Sequence, residues 1–330
     1  MDADIVTRVL VTGVTGQDGG YLTERLLDEG CEVHGLVHHL DPAVDAFAAT
    51  HPQVVIHRGD LGDHTSLRQL VSDVEPGELY NLAGISSVAY SWEHPVLTAE
   101  LSGVAAVVLL EAALAVQEST GRPVRCVQAS SAEIFGEAAV APQDEDTPIR
   151  PVSPYGAAKA YAHQMAGIYR SKGLHVASVI LYNHESPRRP TTFVTRKITA
   201  AAARIGVDGT GVLTLGNLDA QRDWGWAPDY VDAMVRAARH TVGDDFVIAS
   251  GTPHTVAQFA EAALRRAGVG DAWRDHVEVD PALLRPQDAP LLVGDASKAR
   301  RQLGWAPTVD FEELVGRMVD HDLALLRGEV

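Results

Sequence analysis

Tyr155 and Lys159 stand four residues apart in Tyr155-Gly156-Ala157-Ala158-Lys159, a spacing that puts both side chains on one face of a helix. An ordinary phenol, with a pKa near 10, is a poor base at neutral pH. A lysine ammonium beside it favours the phenolate and draws that pKa down toward use. The same ammonium can hold a ribose hydroxyl. Upstream, Ser130-Ser131-Ala132-Glu133 supplies a hydroxyl, Ser131, able to bond a substrate hydroxyl or ketone beside Tyr155. Glu133 is surplus to simple dehydrogenation, but a carboxylate there can remove a carbon-bound proton next to a newly formed ketone. Each residue also has a plain structural reading. Tyr-x-x-x-Lys recurs by chance, and a loop glutamate is most often a solvated acid.

A second group lies near the N-terminus, in Thr12-Gly13-Val14-Thr15-Gly16-Gln17-Asp18-Gly19. The spacing is Gly-x-x-Gly-x-x-Gly after an apolar run and before a helical pattern. The first glycine permits a tight turn, the second lets the backbone approach a pyrophosphate, and the third allows helix to pack closely on strand. The helix N-terminus adds free N–H groups and a partial positive charge. A bare glycine pattern is an ordinary turn; this one has the strand–loop–helix context of a dinucleotide site. Farther on, Asp60-Leu61 could meet an adenine amino group, although an Asp there is more often a turn residue. Asn81-Leu82-Ala83-Gly84 offers small residues for close approach to a ribose, or for simple packing.

These groups need a frame to converge. Short apolar runs over 8–12, 32–37, 54–58, 78–82, 124–129 and 175–181 read as strands. They alternate with helical patterns over 19–29, 65–74, 96–117 and 155–172, which predicts an α/β fold built on a doubly wound parallel sheet. Asp63 sits where an N-cap would start one helix, and Gly30 where a C-cap would close another. Past Tyr182 the rhythm changes, and the proline-bearing loop Ser186-Pro187-Arg188-Arg189-Pro190 opens a second region. Helices are expected there over 193–205, 230–240, 256–267, 298–303 and 311–326, with one strand over 246–249. The division expected is 1–182 plus about 219–254 for the dinucleotide, and about 183–218 plus 255–330 for a smaller mixed α/β C-terminal domain that binds substrate.

With 330 residues, the chain has room for about two structural units. A 46% hydrophobic and 22% charged composition is that of an ordinary globular protein. The net charge of −17 argues against a nucleic acid or an anionic membrane as the main partner. Cys31 and Cys126 are too few and too far apart for a disulfide framework or a metal site. The acidic start is unlike a signal peptide, and the apolar stretch 103–116 is interrupted by Glu111 and reads as a buried helix too short for a bilayer. A reduced, cytoplasmic chain with no metal is expected.

The glycine loop together with Ser131, Tyr155 and Lys159 resembles the extended short-chain dehydrogenases/reductases that act on nucleotide sugars. Within them, the opening Thr-Gly-x-Thr-Gly-Gln-Asp-Gly is similar to that of GDP-mannose 4,6-dehydratases. Further stretches agree: Asn183-His184-Glu185-Ser186-Pro187-Arg188-Arg189 and Thr192-Phe193-Val194-Thr195-Arg196-Lys197. Leu215-Gly216-Asn217-Leu218, Arg222-Asp223-Trp224-Gly225 and Leu284-Arg285-Pro286 complete the set, so the likeness runs from about Val9 to the C-terminus. It implies a Rossmann sheet and a hydro-lyase with a tightly bound nicotinamide cofactor. Tyr155, polarised by Lys159, would take the C4 hydroxyl proton of a GDP-hexose while hydride leaves C4. Glu133 would remove the C5 proton as water leaves C6, and hydride would return to C6. The alternative within the family is a nucleotide-sugar 4-epimerase or 4-reductase; a non-catalytic redox sensor is the reading outside enzymes.

The resemblance also implies binding roles. Gly13, Thr15, Gly16, Gln17, Asp18, Gly19, His38, Asp60, Leu61, Leu82 and Ala83 would meet the cofactor with Tyr155 and Lys159. Ser86, Asn183 and Glu185 would line the sugar-nucleotide pocket, and Lys197, Arg222 and Arg285 would hold its pyrophosphate, arginine forks gripping phosphate by paired bonds. The departures cluster after the second strand. The family usually carries an arginine pair there that grips the 2′-phosphate of NADP, with a long loop that assembles tetramers. This chain reads His38-His39-Leu40-Asp41-Pro42, with no acid directly at the strand end to hold a free ribose 2′-hydroxyl. NADP is the cofactor expected, with NAD as the alternative. Ile85 and Ser87 replace the usual Gln and His beside Ser86. A homo-oligomer, at least a dimer, is expected through the helices over 96–117 and 155–172.

Overall fold

Val9 and Val11 are buried with one set of helices and Leu10 with another, the period-2 alternation of a strand covered on both faces. The computed structural model describes residues 6–284, 287, 289 and 291–329. In its first half the chain runs β1 (Arg8–Thr12), α1 (Gln17–Asp28), β2 (Glu32–His38), α2 (Val44–Thr50), β3 (Val55–Gly59), α3 (His64–Val74), β4 (Glu78–Asn81) and α4 (Val88–Glu93). Then come α5 (Pro95–Ala99), a π-helical turn (Glu100–Val104), α6 (Ala105–Thr120), β5 (Arg125–Ser131), α7 (Pro154–Ser171) and β6 (His175–Leu181).

Local chemistry sets the ends of these helices. Gly30 has φ 78, and its N–H and that of Cys31 close α1 onto the carbonyls of Leu27 and Leu26, the paired bonds of a left-handed glycine stop. Asp63 caps α3 by accepting from the Ser66 N–H. The stretch 95–120 is one continuous helical run, interrupted in phase by the π turn. By length and composition it could cross a membrane, contrary to the shorter apolar segment read from sequence, but 61% of its most apolar window is buried inside the fold. There its side chains pack with Leu67 and Val71 of α3 and Ala166 and Tyr169 of α7.

The second half comprises β7 (Asn183–Glu185), α8 (Val194–Asp208), β8 (Leu213–Leu215), β9 (Gln221–Trp226), α9 (Ala227–Arg239) and β10 (Asp245–Ile248). It ends with β11 (Pro253–Thr255), α10 (Val256–Arg266), β12 (Val277–Val279), β13 (Leu291–Leu292), α11 (Ser297–Leu303) and α12 (Phe311–Arg327). The main sheet is parallel with order β10-β6-β5-β4-β1-β2-β3. The chain therefore leaves β1 toward β2 and β3, then crosses back to β4. That reversal opens a crevice at the strands' carboxyl ends, where such sheets bind ligands.

The second region interleaves with the first. β9 pairs with β7, β11 and β13 in a separate small sheet, although the sequence grouped 219–254 with the dinucleotide unit. Its two- and three-residue neighbours were too short to leave a periodic signal. The residues immediately following, α9 and β10, do rejoin the main sheet. Ala296, Ala299, Leu303 and Trp305, grouped by sequence with the second unit, are buried in the main sheet's core beside α1 and α9. The remaining core of the second region gathers Ile198, Phe259, Leu264 and Met318 from α8, α10 and α12, bolted by a buried ion pair between Arg196 and Asp322.

Candidate active site

The glycine loop is shaped by contacts that leave no room for side chains. Gly13 has φ 71, and a Cβ on it would lie 3.1 Å from the backbone of Ala83. A Cβ at Gly19 would run into the Gly13 carbonyl oxygen and lie 2.7 Å from Val14 Cα. The loop is thus pressed between β4 and the first turn of α1, whose N-cap is Gly16. Thr12 ties the two central strands: its hydroxyl donates to Asn81 Oδ1 at 2.8 Å and accepts from the Leu82 and Ala83 N–H groups at 3.1 Å each. A backbone-lined cradle at a helix N-terminus, over a topological switch point, fits the pyrophosphate of a nicotinamide dinucleotide.

Gln17 and Asp18, expected at the cofactor, direct their side chains elsewhere. Gln17 donates to the His184 carbonyl at 3.1 Å and accepts from the Ser186 hydroxyl at 2.8 Å. Asp18 Oδ2 lies 2.8 Å from His184 Nε2, while His184 Nδ1 lies 2.7 Å from the Tyr182 carbonyl. Both imidazole nitrogens face acceptors, the arrangement of a doubly protonated ring. Burial alone would raise the Asp18 carboxyl, but the His184 charge and hydrogen bond outweigh it and hold it below the usual range. The same pair raises His184 against its own desolvation. The two motifs of the resemblance are therefore one buried construction, and only the backbone of Gln17 and Asp18 is left to the loop.

The four expected catalytic residues do come together. Ser131 ends β5, and its Oγ accepts from the Glu133 N–H at 3.3 Å. Tyr155 lies in the first turn of α7, which starts on Pro154 behind the cap Ser153. The Ser131 hydroxyl lies near enough to the Tyr155 phenol to favour its ionised form. A Cβ on Gly156 would sit 2.5 Å from the Glu133 carbonyl oxygen, so the first turn of α7 rests directly on the Glu133 backbone. Ser91 Oγ accepts from the Tyr155 N–H at 3.2 Å, which brings α4 into the frame.

One expectation fails here. Lys159 does not pull the phenol down: burial pushes Tyr155 up to about 12, Ser131 opposing and Glu133 adding to the rise. Burial also lowers Lys159 to about 8, against the attraction of Asp18. The reason is geometric. Lys159 Nζ donates to the Ala129 carbonyl at 3.0 Å and stands 5.9 Å from the centre of the Tyr155 ring, so desolvation dominates both groups.

On the substrate side the structure separates the expected residues. Glu185 is buried, accepting from the Thr195 hydroxyl at 2.6 Å and paired with Arg189 Nε at 3.3 Å. That makes it a support for the NHESPRR stretch. Asn183 stands opposite Trp224 across β7 and β9. Arg222, also buried on β9, donates to the carbonyls of Gln221 and Ala289 at 2.8 Å each. Lys197 Nζ donates to the Thr214 carbonyl at 2.6 Å. Ser86 is exposed in the loop after β4, and Arg285 lies outside the described residues. Sequence reasoning missed Arg189, whose charge reaches Tyr155, Asp18 and His184; its position inside the NHESPRR stretch was the available signal.

At the carboxyl ends of β2 and β3, Thr15 donates to Asp41 Oδ2 at 2.6 Å. His38 lies 3.7 Å from Asp60, and its ring centre is 4.3 Å from that of His39. These two histidines and Asp60 bring possible ligand atoms within 4.8 Å of one another. Asp60 also accepts from the Gly62 N–H at 2.8 Å, as a turn aspartate does, and Leu61 packs at the edge of the core beneath α3 and α6.

A parallel seven-stranded sheet, a glycine cradle at its switch point and a Ser–Tyr–Lys set beside it define a dinucleotide-binding enzyme of the short-chain dehydrogenase/reductase type. Comparison with known proteins narrows the class. Residues 10–318 match the family model described as GDP-mannose 4,6 dehydratase, and the chain belongs to that family. It is 45% identical to GDP-mannose 4,6 dehydratase 1 of Arabidopsis thaliana, over 99% of this chain and 94% of the relative. Identity to the human GDP-mannose 4,6 dehydratase is 40%, over 96% and 92%. Among solved structures, a Thermus thermophilus UDP-glucose 4-epimerase in complex with NAD superposes with a TM-score of 0.82 at 30% identity, covering 98% and 100%.

Proposed function

We propose that this chain dehydrates GDP-mannose to a GDP-4-keto-6-deoxy-hexose with no net redox change. The observation that carries the reading is Glu133, whose backbone is fixed between Ser131 and the first turn of α7 and whose charge reaches Tyr155, a carboxylate useless to a simple dehydrogenase. Ser131 holds the C4 oxygen and Tyr155, as phenolate, receives its proton. The positive charge of a bound oxidised nicotinamide would favour that phenolate against the burial that raises its pKa. Lys159, fixed by the Ala129 carbonyl, is left with donors for a ribose hydroxyl. The 4-ketone acidifies the C5 hydrogen; Glu133 removes that proton and passes it to the departing C6 hydroxyl, which leaves as water, and the proton held by Tyr155 returns to C5 as hydride reaches C6. A nicotinamide dinucleotide in the glycine cradle supplies the acceptor for the C4 hydride and the donor that returns it to C6. Substrate and product therefore differ by one water.

Arg222 and Lys197, with Arg285, are proposed to hold the nucleotide pyrophosphate. We assign the dinucleotide to 1–182 with the returning stretches 227–248 and 296–305, and the sugar nucleotide to the small sheet with α8, α10 and α12. Exposed Val96 and Val104 on the long helix, and Tyr161 and Ile168 on α7, support a homodimer at least. Cys31 and Cys126 are both free, in keeping with a cytoplasmic enzyme. Between NADP, the form expected above, and NAD, the decision lies at the rim formed by His38, His39 and Asp41.

Incubating the chain with GDP-mannose and either dinucleotide, and following products by mass and NMR, tests the proposal. Loss of one water with no net cofactor reduction is expected, with deuterium from C4 appearing at C6. A product of unchanged mass whose deuterium stays at C4 would make the chain a 4-epimerase instead.

A further inference from the structure

We propose that this chain selects NAD over NADP and that Asp41 makes the selection. The inference rests on the reading of the glycine loop as a nicotinamide dinucleotide site. Asp41 lies three residues beyond the end of β2, too far along the chain to be read as the acid at the strand end. The fold returns it. A turn closed by the Asp41 N–H on the His38 carbonyl at 3.0 Å folds the carboxylate back over the glycine loop. Thr15, the residue before the N-cap Gly16, donates to Oδ2 at 2.6 Å, and the Ala43 N–H donates to Oδ1 at 2.9 Å.

That position is ~20 residues beyond the third glycine, where dinucleotide folds place the acid that accepts a hydrogen bond from the adenosine ribose 2′-hydroxyl. A carboxylate has about four lone-pair sites. Two are used by Thr15 and Ala43, which fix its direction, and two remain for ribose hydroxyls.

The same rim is ill suited to a 2′-phosphate. A dianion there would meet Asp41 and, on β3's end, Asp60. The one arginine or lysine between positions 32 and 63 is Arg58, and its guanidinium is turned to Asp45 at 3.0 Å. His38 faces Asp60 at 3.7 Å, and an imidazole lacks the paired donors with which a guanidinium grips phosphate.

Calorimetric titration of the full chain with NAD⁺ and, separately, NADP⁺ tests this. NAD⁺ is expected to bind about tenfold or more tightly, the span of one charge-assisted hydrogen bond. Asp41→Asn keeps an acceptor for the Ala43 N–H and removes the charge, so it should weaken NAD⁺, improve NADP⁺ and narrow the ratio. Were that variant not to fold, Thr15→Val, which frees the carboxylate, should narrow the ratio less. Equal or tighter NADP⁺ binding by the unaltered chain overturns the selection and leaves the dinucleotide site intact. Binding of neither overturns the dinucleotide reading itself.

Discussion

His184 Nε2 stands 2.8 Å from Asp18 Oδ2, so the first turn of the dinucleotide-cradling helix is ion-paired to the strand that follows the main sheet's sixth. Stacking of His184 on Tyr230, ring centres 4.6 Å apart, presses the pair against α9. A shift of the glycine loop therefore moves β7, and with it the stretch that carries Glu185 and Arg189.

The pair makes stability depend on pH from both sides. His184 is raised above its ordinary 6.5, so its contribution is full below 6.5 and is lost as pH rises through the raised value. Asp18 is lowered below 3.8, so its share is full above 3.8 and is lost as pH falls through the lowered value. Urea unfolding of the dinucleotide-free chain should show a plateau between these limits. Asp18→Asn should cost about 3 kcal/mol on that plateau and lower the His184 pKa by NMR; an unchanged His184 titration would separate the two residues.

Gly19→Ala adds one methyl group where the Gly13 carbonyl already sits. Helix and strand must move apart, with an expected cost of about 2 kcal/mol or more and loss of dinucleotide binding. Gly30→Ala is the control: nothing lies within 4 Å of a Cβ there, so it should keep binding while paying only for its φ of 78.

Glu133→Gln preserves shape and removes the base. Dehydration should fall by about 10²–10⁴-fold, while C4 oxidation survives as a transient rise in reduced-nicotinamide absorbance. Solvent deuterium should no longer enter C5. Retained exchange at C5 would point to another base.

Lys159 titrates near 8 in the fold against 10.5 in an unfolded chain. From about 8 toward 10 the unfolded state binds more protons, so this residue makes stability rise with pH across that window. Lys159→Met should flatten the rise, measured by urea unfolding at both ends of the window. Tyr155, raised to about 12, acts in the opposite sense above 10.

The parallel sheet was legible because Val9, Leu10 and Val11 and their counterparts alternate between two covered faces, a signal carried by each strand alone. Ser131, Glu133, Tyr155 and Lys159 were legible because their spacing is local. Asp41 was not, since only the turn on His38 brings it back to Thr15. Nor was Glu185, whose burial with Thr195 and Arg189 depends on a strand of three residues. The Tyr155 shift was misjudged for a related reason: spacing reports proximity to Lys159, whereas desolvation is a property of everything packed around the phenol.

The π turn at Glu100–Val104 carries one further consequence. A π turn holds one residue more than an α turn, and each residue advances a helix by ~100°. Gly103 lies within it, and a Cβ there would be 3.3 Å from the Ala158 carbonyl oxygen and 3.4 Å from the Tyr161 ring. The extra residue thus acts as a phase shifter. It lets α5 and α6 present different sides to their neighbours while a bare backbone leans on the turn that joins Tyr155 to Lys159. Deleting a single residue between 100 and 104 would keep the helix and rotate everything before or after it. The catalytic turn would lose its backing without a single catalytic atom being changed.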